Sequence, residues 1–107
     1  MKDEITVFME YKINAEYVQV YSSLIKHIKK KLQSMGASNF HSYKAADQDS
    51  LYVEFFQVKD YSLYNKIKEA RLHPAEMVFS DLHEMVEGGI RKIHCWAFIK
   101  QELEDED

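Results

Sequence analysis

The candidate strands of this chain are apolar on both faces. In Lys92–Lys100 one alternating face reads Ile93, Cys95, Ala97, Ile99 and the other His94, Trp96, Phe98. Leu51–Val58 repeats the pattern, with Leu51, Val53, Phe55 opposite Tyr52, Phe56, Val58. A small antiparallel sheet normally turns one face to water and alternates apolar with polar residues. A sheet with no watery face needs two covers. A single domain of 107 residues has helices enough for one. The simplest second cover is another copy of the same chain.

The order of elements follows from periodicity. Ile5–Ile13 alternates as a strand, with Ile5, Val7, Met9, Tyr11 and Ile13 on one side. Asn14 reads as a helix N-cap, and Tyr17, Tyr21, Leu24, Ile28, Leu32 and Met35 recur at helical spacing up to the stop at Gly36. Phe40–Ala45 is a weaker strand, joined to the strand at Leu51 by the polar turn Asp47–Ser50. Asp60 or Ser62 caps a second helix carrying Tyr61, Tyr64, Ile67 and Ala70. Pro74 breaks that helix at His73 and opens a third helical stretch with Met77, Val78, Leu82, Met85 and Val86, ended by Gly88-Gly89. The order β-α-β-β-α-α-β is α+β and ferredoxin-like, a split βαβ arrangement. Right-handed crossovers place the helices on one face of a four-stranded antiparallel sheet. The domain runs over residues 1–101, and residues 102–107 form an acidic tail read as disordered.

Helices favour the more aliphatic sheet face. That assigns Ile5, Val7, Met9, Leu51, Val53, Phe55, Ile93, Cys95 and Ala97 to the helical side. The other side then holds Phe8, Glu10, His41, Tyr43, Tyr52, Glu54, Phe56, His94, Trp96 and Phe98. Such an aromatic surface is too large for a solvated monomer and predicts a homodimer, closing two sheets into an α/β barrel. The same assignment gathers Glu10, Glu54, His41 and His94, where neighbouring carboxylates would raise one pKa and a histidine could relay protons. Carboxylates at a barrel rim are more often solvated or paired with cations. A second candidate site joins Tyr17 and Tyr21, one helical turn apart, with His73 at the helix break. Tyr64, Met77 and Trp96 are the candidate ligand-binding side chains. The plainer reading of all six is core edge, turn and interface.

Bulk properties narrow the classes. The net charge is -4, but Glu102, Glu104, Asp105, Glu106 and Asp107 carry much of it; the remaining 13 acids face 14 bases. A near-neutral body is no nucleic-acid footprint. No apolar run approaches the ~20 residues of a bilayer span, and no signal-peptide core follows Met1. One cysteine, Cys95, inside an apolar run suits a reducing, cytoplasmic compartment. No metal-ligand spacing, phosphate loop, dinucleotide fingerprint or CxxC occurs, so no metal or cofactor is implied.

The run Leu32-Gln33-Ser34-Met35-Gly36-Ala37-Ser38-Asn39-Phe40, continued by Leu51-Tyr52-Val53-Glu54 and Tyr64-Asn65, resembles the L-rhamnose mutarotase family. The resemblance covers about half the chain and implies a dimeric α/β barrel. It places the family's tyrosine on Tyr17 and its catalytic histidine on Tyr21. The family's tryptophans fall on Tyr64, Glu76 and Met77. The general acid and the sugar-stacking rings are therefore replaced, and the resemblance carries a fold rather than mutarotation. The chain is also similar to antibiotic-biosynthesis-type monooxygenases of the same superfamily, some of which degrade haem with an Asn, Trp and His set. Here the first strand lacks an asparagine before Asn14, the only tryptophan is Trp96, and His73 or His83 stands for the helical histidine.

Three functions stay open on these residues. The leading one is a homodimer binding a small, partly apolar molecule between sheet and helices, as a cofactor-independent isomerase or monooxygenase using Tyr17, Tyr21 and His73. The second is a non-catalytic partner-binding or regulatory dimer acting through its acidic tail. The third is haem binding and degradation. Fold alone does not choose among them.

Overall fold

A computed structural model describes residues 4–103. The four strands are β1 (Ile5–Lys12), β2 (Ser38–Lys44), β3 (Leu51–Val58) and β4 (His94–Ile99). They form one antiparallel sheet in the order β2-β3-β1-β4. Three helices, α1 (Val18–Ser34), α2 (Tyr61–Leu72) and the short α3 (Phe79–His83), complete the expected α+β, ferredoxin-like order. β4 ends at Ile99, and residues 100–103 carry no regular structure. Most of the acidic tail, residues 104–107, lies outside the described residues.

The first helix follows its apolar stripe: Tyr21, Leu24, Ile28 and Leu32 are buried against the sheet. Its start differs from expectation. Asn14 makes no side-chain cap, and a 3-10 turn over Ala15–Tyr17 precedes the helix. The backbone amide of Asn14 instead donates to Met85 at 2.8 Å, beside the bridge between Ile13 and Val86. Gly36, at φ +108°, ends the helix; the backbone favours glycine there, and an added Cβ would lie 3.1 Å from Leu63 Cδ2 and press that side chain aside. Asp60 caps α2 by accepting the Leu63 amide at 2.9 Å.

The third helical stretch is shorter than its apolar spacing predicts. Residues 74–78 are turns, and the helix begins only at Phe79. Val78 sits at φ 74°, which a β-branched side chain resists. The segment is tied to α1 by Lys31, whose Nζ meets Glu76 Oε2 at 2.8 Å and also donates to the Met77 carbonyl. Met85 and Val86 are buried without being helical.

The sheet faces need one correction. Directly paired residues share a face. Val7 pairs with Phe56, Met9 with Glu54 and Tyr11 with Tyr52. The helical side of β3 is therefore Tyr52, Glu54, Phe56 and Val58, all buried, and not Leu51, Val53 and Phe55. In a strand apolar on both faces, composition does not fix the side, and an error of one residue inverts all of it. β1 and β4 follow the expected assignment: Ile5, Val7 and Met9 are buried, and His94, Trp96 and Phe98 are exposed.

Candidate functional site

The inverted strand puts a carboxylate in the core, and α2 supplies its partner. Tyr64, Ile67 and Arg71 lie on the buried stripe of that helix. Arg71 Nη1 meets Glu54 Oε1 at 2.7 Å and Nη2 meets Oε2 at 2.8 Å, both side chains wholly buried. This fork-to-fork geometry makes both hydrogen bonds charge-assisted. Burial opposes the Arg71 charge, but Glu54 outweighs it and raises the guanidinium pKa. Phe79 packs 5.1 Å from the guanidinium carbon, and His83 Nε2 lies 2.6 Å from the Arg71 carbonyl. A carbonyl only accepts, so His83 carries its proton on Nε2. Among the described residues Arg71 Nε has no partner.

From this pair a chain of hydroxyls runs outward in a fixed direction. A carboxylate is acceptor-only, so Tyr11 donates to Glu54 Oε2. The Tyr11 proton is then committed, and Tyr21, at 2.8 Å, must donate to the Tyr11 oxygen. Ser42, paired with Glu54 on β2, lies beside Tyr21 in a cleft wall. Burial first, and the charge of Glu54 second, raise the pKa of both Tyr11 and Tyr21, so both stay neutral at ordinary pH.

The outer end of this chain opens into a cleft of about 300 Å³ between the start of α1 and strands β2 and β3. Val18, Tyr21, Ser22, Ile25, Ser42 and Tyr52 are among the residues that line it. The Tyr52 ring lies 4.4 Å from the Tyr21 ring at 45°. The volume is at the small end for ligand sites. A second cleft of about 290 Å³ is lined by Glu10, Lys12, Glu87, Lys92 and His94, with charges of both signs.

The structure scatters several of the residues singled out in the sequence. Tyr21 is in the cleft wall, and Tyr17, half-buried, packs on the core one turn earlier. His73 is exposed, accepts the Ala75 amide at 3.0 Å on Nδ1, and is not part of the cleft. Tyr64 is buried, with its hydroxyl beside the Cys95 thiol, and burial raises the pKa of each. Met77 is exposed on the loop before α3, and Trp96 lies on the opposite face of the sheet. The grouping of Glu10, Glu54, His41 and His94 does not form, because Glu54 faces the helices. Among the described residues no His, Cys, Asp and Glu cluster could hold a metal ion. No described helix is long and apolar enough to cross a membrane.

Sequence reasoning missed Arg71 and the partnership with Glu54. The signal was present: Tyr64, Ile67 and Arg71 follow i, i+3, i+7 spacing, which puts an arginine on a core stripe and calls for a buried carboxylate.

Fold and site define a ferredoxin-like α+β domain with a tyrosine–carboxylate–guanidinium chain between sheet and helices. No protein-family model matches the sequence, and no curated protein matches it. Solved structures do match the fold. A conserved protein from Methanosarcina mazei superposes with TM-score 0.68 at 17% identity, covering 92% of this chain and 94% of that one. A candidate antibiotic biosynthesis monooxygenase from Nitrosomonas europaea gives 0.71 at 9% identity, with 94% and 92% covered. SnoaB, a cofactor-independent oxygenase from Streptomyces nogalater, gives 0.62 at 15% identity, with 97% and 99% covered. The chain therefore has the fold of antibiotic-biosynthesis-monooxygenase-like proteins. At these identities the likeness is one of fold.

Proposed function

We propose that this protein is a homodimer, paired through its open sheet face, that binds a small, partly apolar molecule in the cleft at Tyr21. The observation that carries this reading is the hydrogen-bond chain from Tyr21 through Tyr11 to Glu54 and Arg71, with Tyr21 in the cleft wall. A buried ion pair is an expensive way to stabilise a core, since apolar residues of like volume serve as well or better. A chain that also reaches an apolar cleft gives the pair a second use, because it orients a polar group at the inner end of a ligand site. A cofactor-independent oxygenase among the fold neighbours favours oxygenation as the reaction class. Tyr21 is the central binding residue in this reading, and Tyr17 shapes the helix start beside it. A lone cysteine whose pKa burial raises fits a reducing, cytoplasmic setting.

A fragment screen followed by backbone amide NMR tests the site. Hits should move the amides of Val18–Ile25 and Ser42–Tyr52, and Tyr21→Phe should weaken them at least tenfold. Hits that cluster elsewhere on the surface, indifferent to Tyr21→Phe, would remove the cleft from consideration.

A further inference from the structure

The direction of the buried chain selects the ligand's chemistry. We infer that the group held at the inner end of the Tyr21 cleft is a hydrogen-bond donor, a hydroxyl or N–H on an apolar body, and not a carbonyl or other acceptor. This rests on the cleft being the ligand site. Arg71 holds Glu54 as a two-oxygen acceptor at 2.7 and 2.8 Å. Tyr11 must then donate inward to Glu54, and Tyr21 must donate inward to Tyr11. Each hydroxyl proton points toward the carboxylate, so the atom left facing the cleft is the Tyr21 oxygen with its lone pairs. Ser42, at an exposed position of β2, lines the cleft beside it. A ligand hydroxyl donates to those lone pairs. A ligand carbonyl meets lone pairs with lone pairs, and turning the Tyr21 proton outward would cost the Tyr11 oxygen the buried hydrogen bond it accepts. The rim groups Gln19, Ser22, Ser42 and Lys44 are exposed to solvent rather than fixed by the buried chain, so they do not set the choice.

Three probes of one shape decide it: 1-naphthol, 1-methoxynaphthalene and 1-naphthaldehyde, titrated into the full-length protein and followed on the cleft amides by NMR. Naphthol should bind at least tenfold more tightly than either acceptor-only probe. Tyr21→Phe should erase that preference. Ser42→Ala, at an exposed position outside the core, removes a neighbouring cleft hydroxyl and keeps the Tyr21–Tyr11–Glu54 chain, so the preference for naphthol should persist; its loss would overturn the inference. It keeps the test alive should Tyr21→Phe fold poorly. Naphthaldehyde binding in the cleft as tightly as naphthol would overturn the inference and leave the ligand site standing. Cleft amides unmoved by all three probes would overturn the site and the inference together.

Discussion

Glu54 and Arg71 are the residues on which the interior of this protein turns. Each is wholly buried, and each is the other's counter-ion. Removing one partner strands a charge and costs about 3–5 kcal/mol, whereas replacing both by apolar residues of like volume is near neutral or stabilising. Glu54→Leu and Arg71→Met should therefore each destabilise by several kcal/mol, and the double variant should recover most of the loss. Urea unfolding measures this; single variants within about 1 kcal/mol of the parent would show the pair to be solvated. The tyrosines add a pH dependence. Burial raises the pKa of Tyr11 and Tyr21 above their ordinary value near 10. The native state then keeps protons that the unfolded chain loses, so stability is full below about pH 10 and falls as pH rises through the folded-state values. Each such group contributes a slope of up to about 1.4 kcal/mol per pH unit in that window. Unfolding midpoints between pH 8 and 12 should drop, and Tyr21→Phe should flatten the drop. Equal slopes in parent and variant would mean that Tyr21 ionises freely in the folded protein.

At the scale of elements, legibility tracked how strongly one face was marked. The stripe of α1 was readable because Tyr21, Leu24, Ile28 and Leu32 sit among lysines and polar residues. The cap at Asp60 and the stop at Gly36 were readable because each relies on one local residue. β3 was not, because Leu51, Val53 and Phe55 are as apolar as Tyr52, Phe56 and Val58, and its side is set by pairing with β1. Gln57, the one polar residue on the open side, was the remaining clue. The stretch after Pro74 misled for a related reason. Its apolar spacing reports burial of Phe79, Leu82, Met85 and Val86, but a tertiary clasp sets the backbone: Lys31 holds the turn, and Ile13 bridges to Val86. The candidate site suffered most. Tyr21 was legible from its helix, but its partners come from β1, β3 and α2, and only the register of the sheet brings them together.

For the whole molecule, the open sheet face is the feature the monomer leaves unresolved. Its rings run in a continuous row across all four strands. Tyr43 lies 5.8 Å from Phe55, Phe55 4.7 Å from Phe8, and Phe8 5.4 Å from Trp96, which stacks on His94 at 5.7 Å. Tyr43, Trp96 and Phe98 remain 53%, 43% and 53% exposed. Inverting β3 leaves this argument intact, because Phe55 and Val53 replace Phe56 and Tyr52 on the same face. Covering each large side chain gains about 1.5–3 kcal/mol, and that gain is the physical basis of the two-fold pairing proposed above. Light scattering on an eluting peak should give twice the 12.7 kDa chain mass. Phe8→Glu, at the centre of the row, buries a charge in the pairing and should yield monomers while the helical side of β1 keeps its core. Because pairing favours the native state, the parent's unfolding midpoint should also rise with protein concentration, and that of Phe8→Glu should not. A parent that elutes at 12.7 kDa, with a midpoint independent of concentration, would mean the aromatic row is exposed in solution and serves something other than a second copy of this chain.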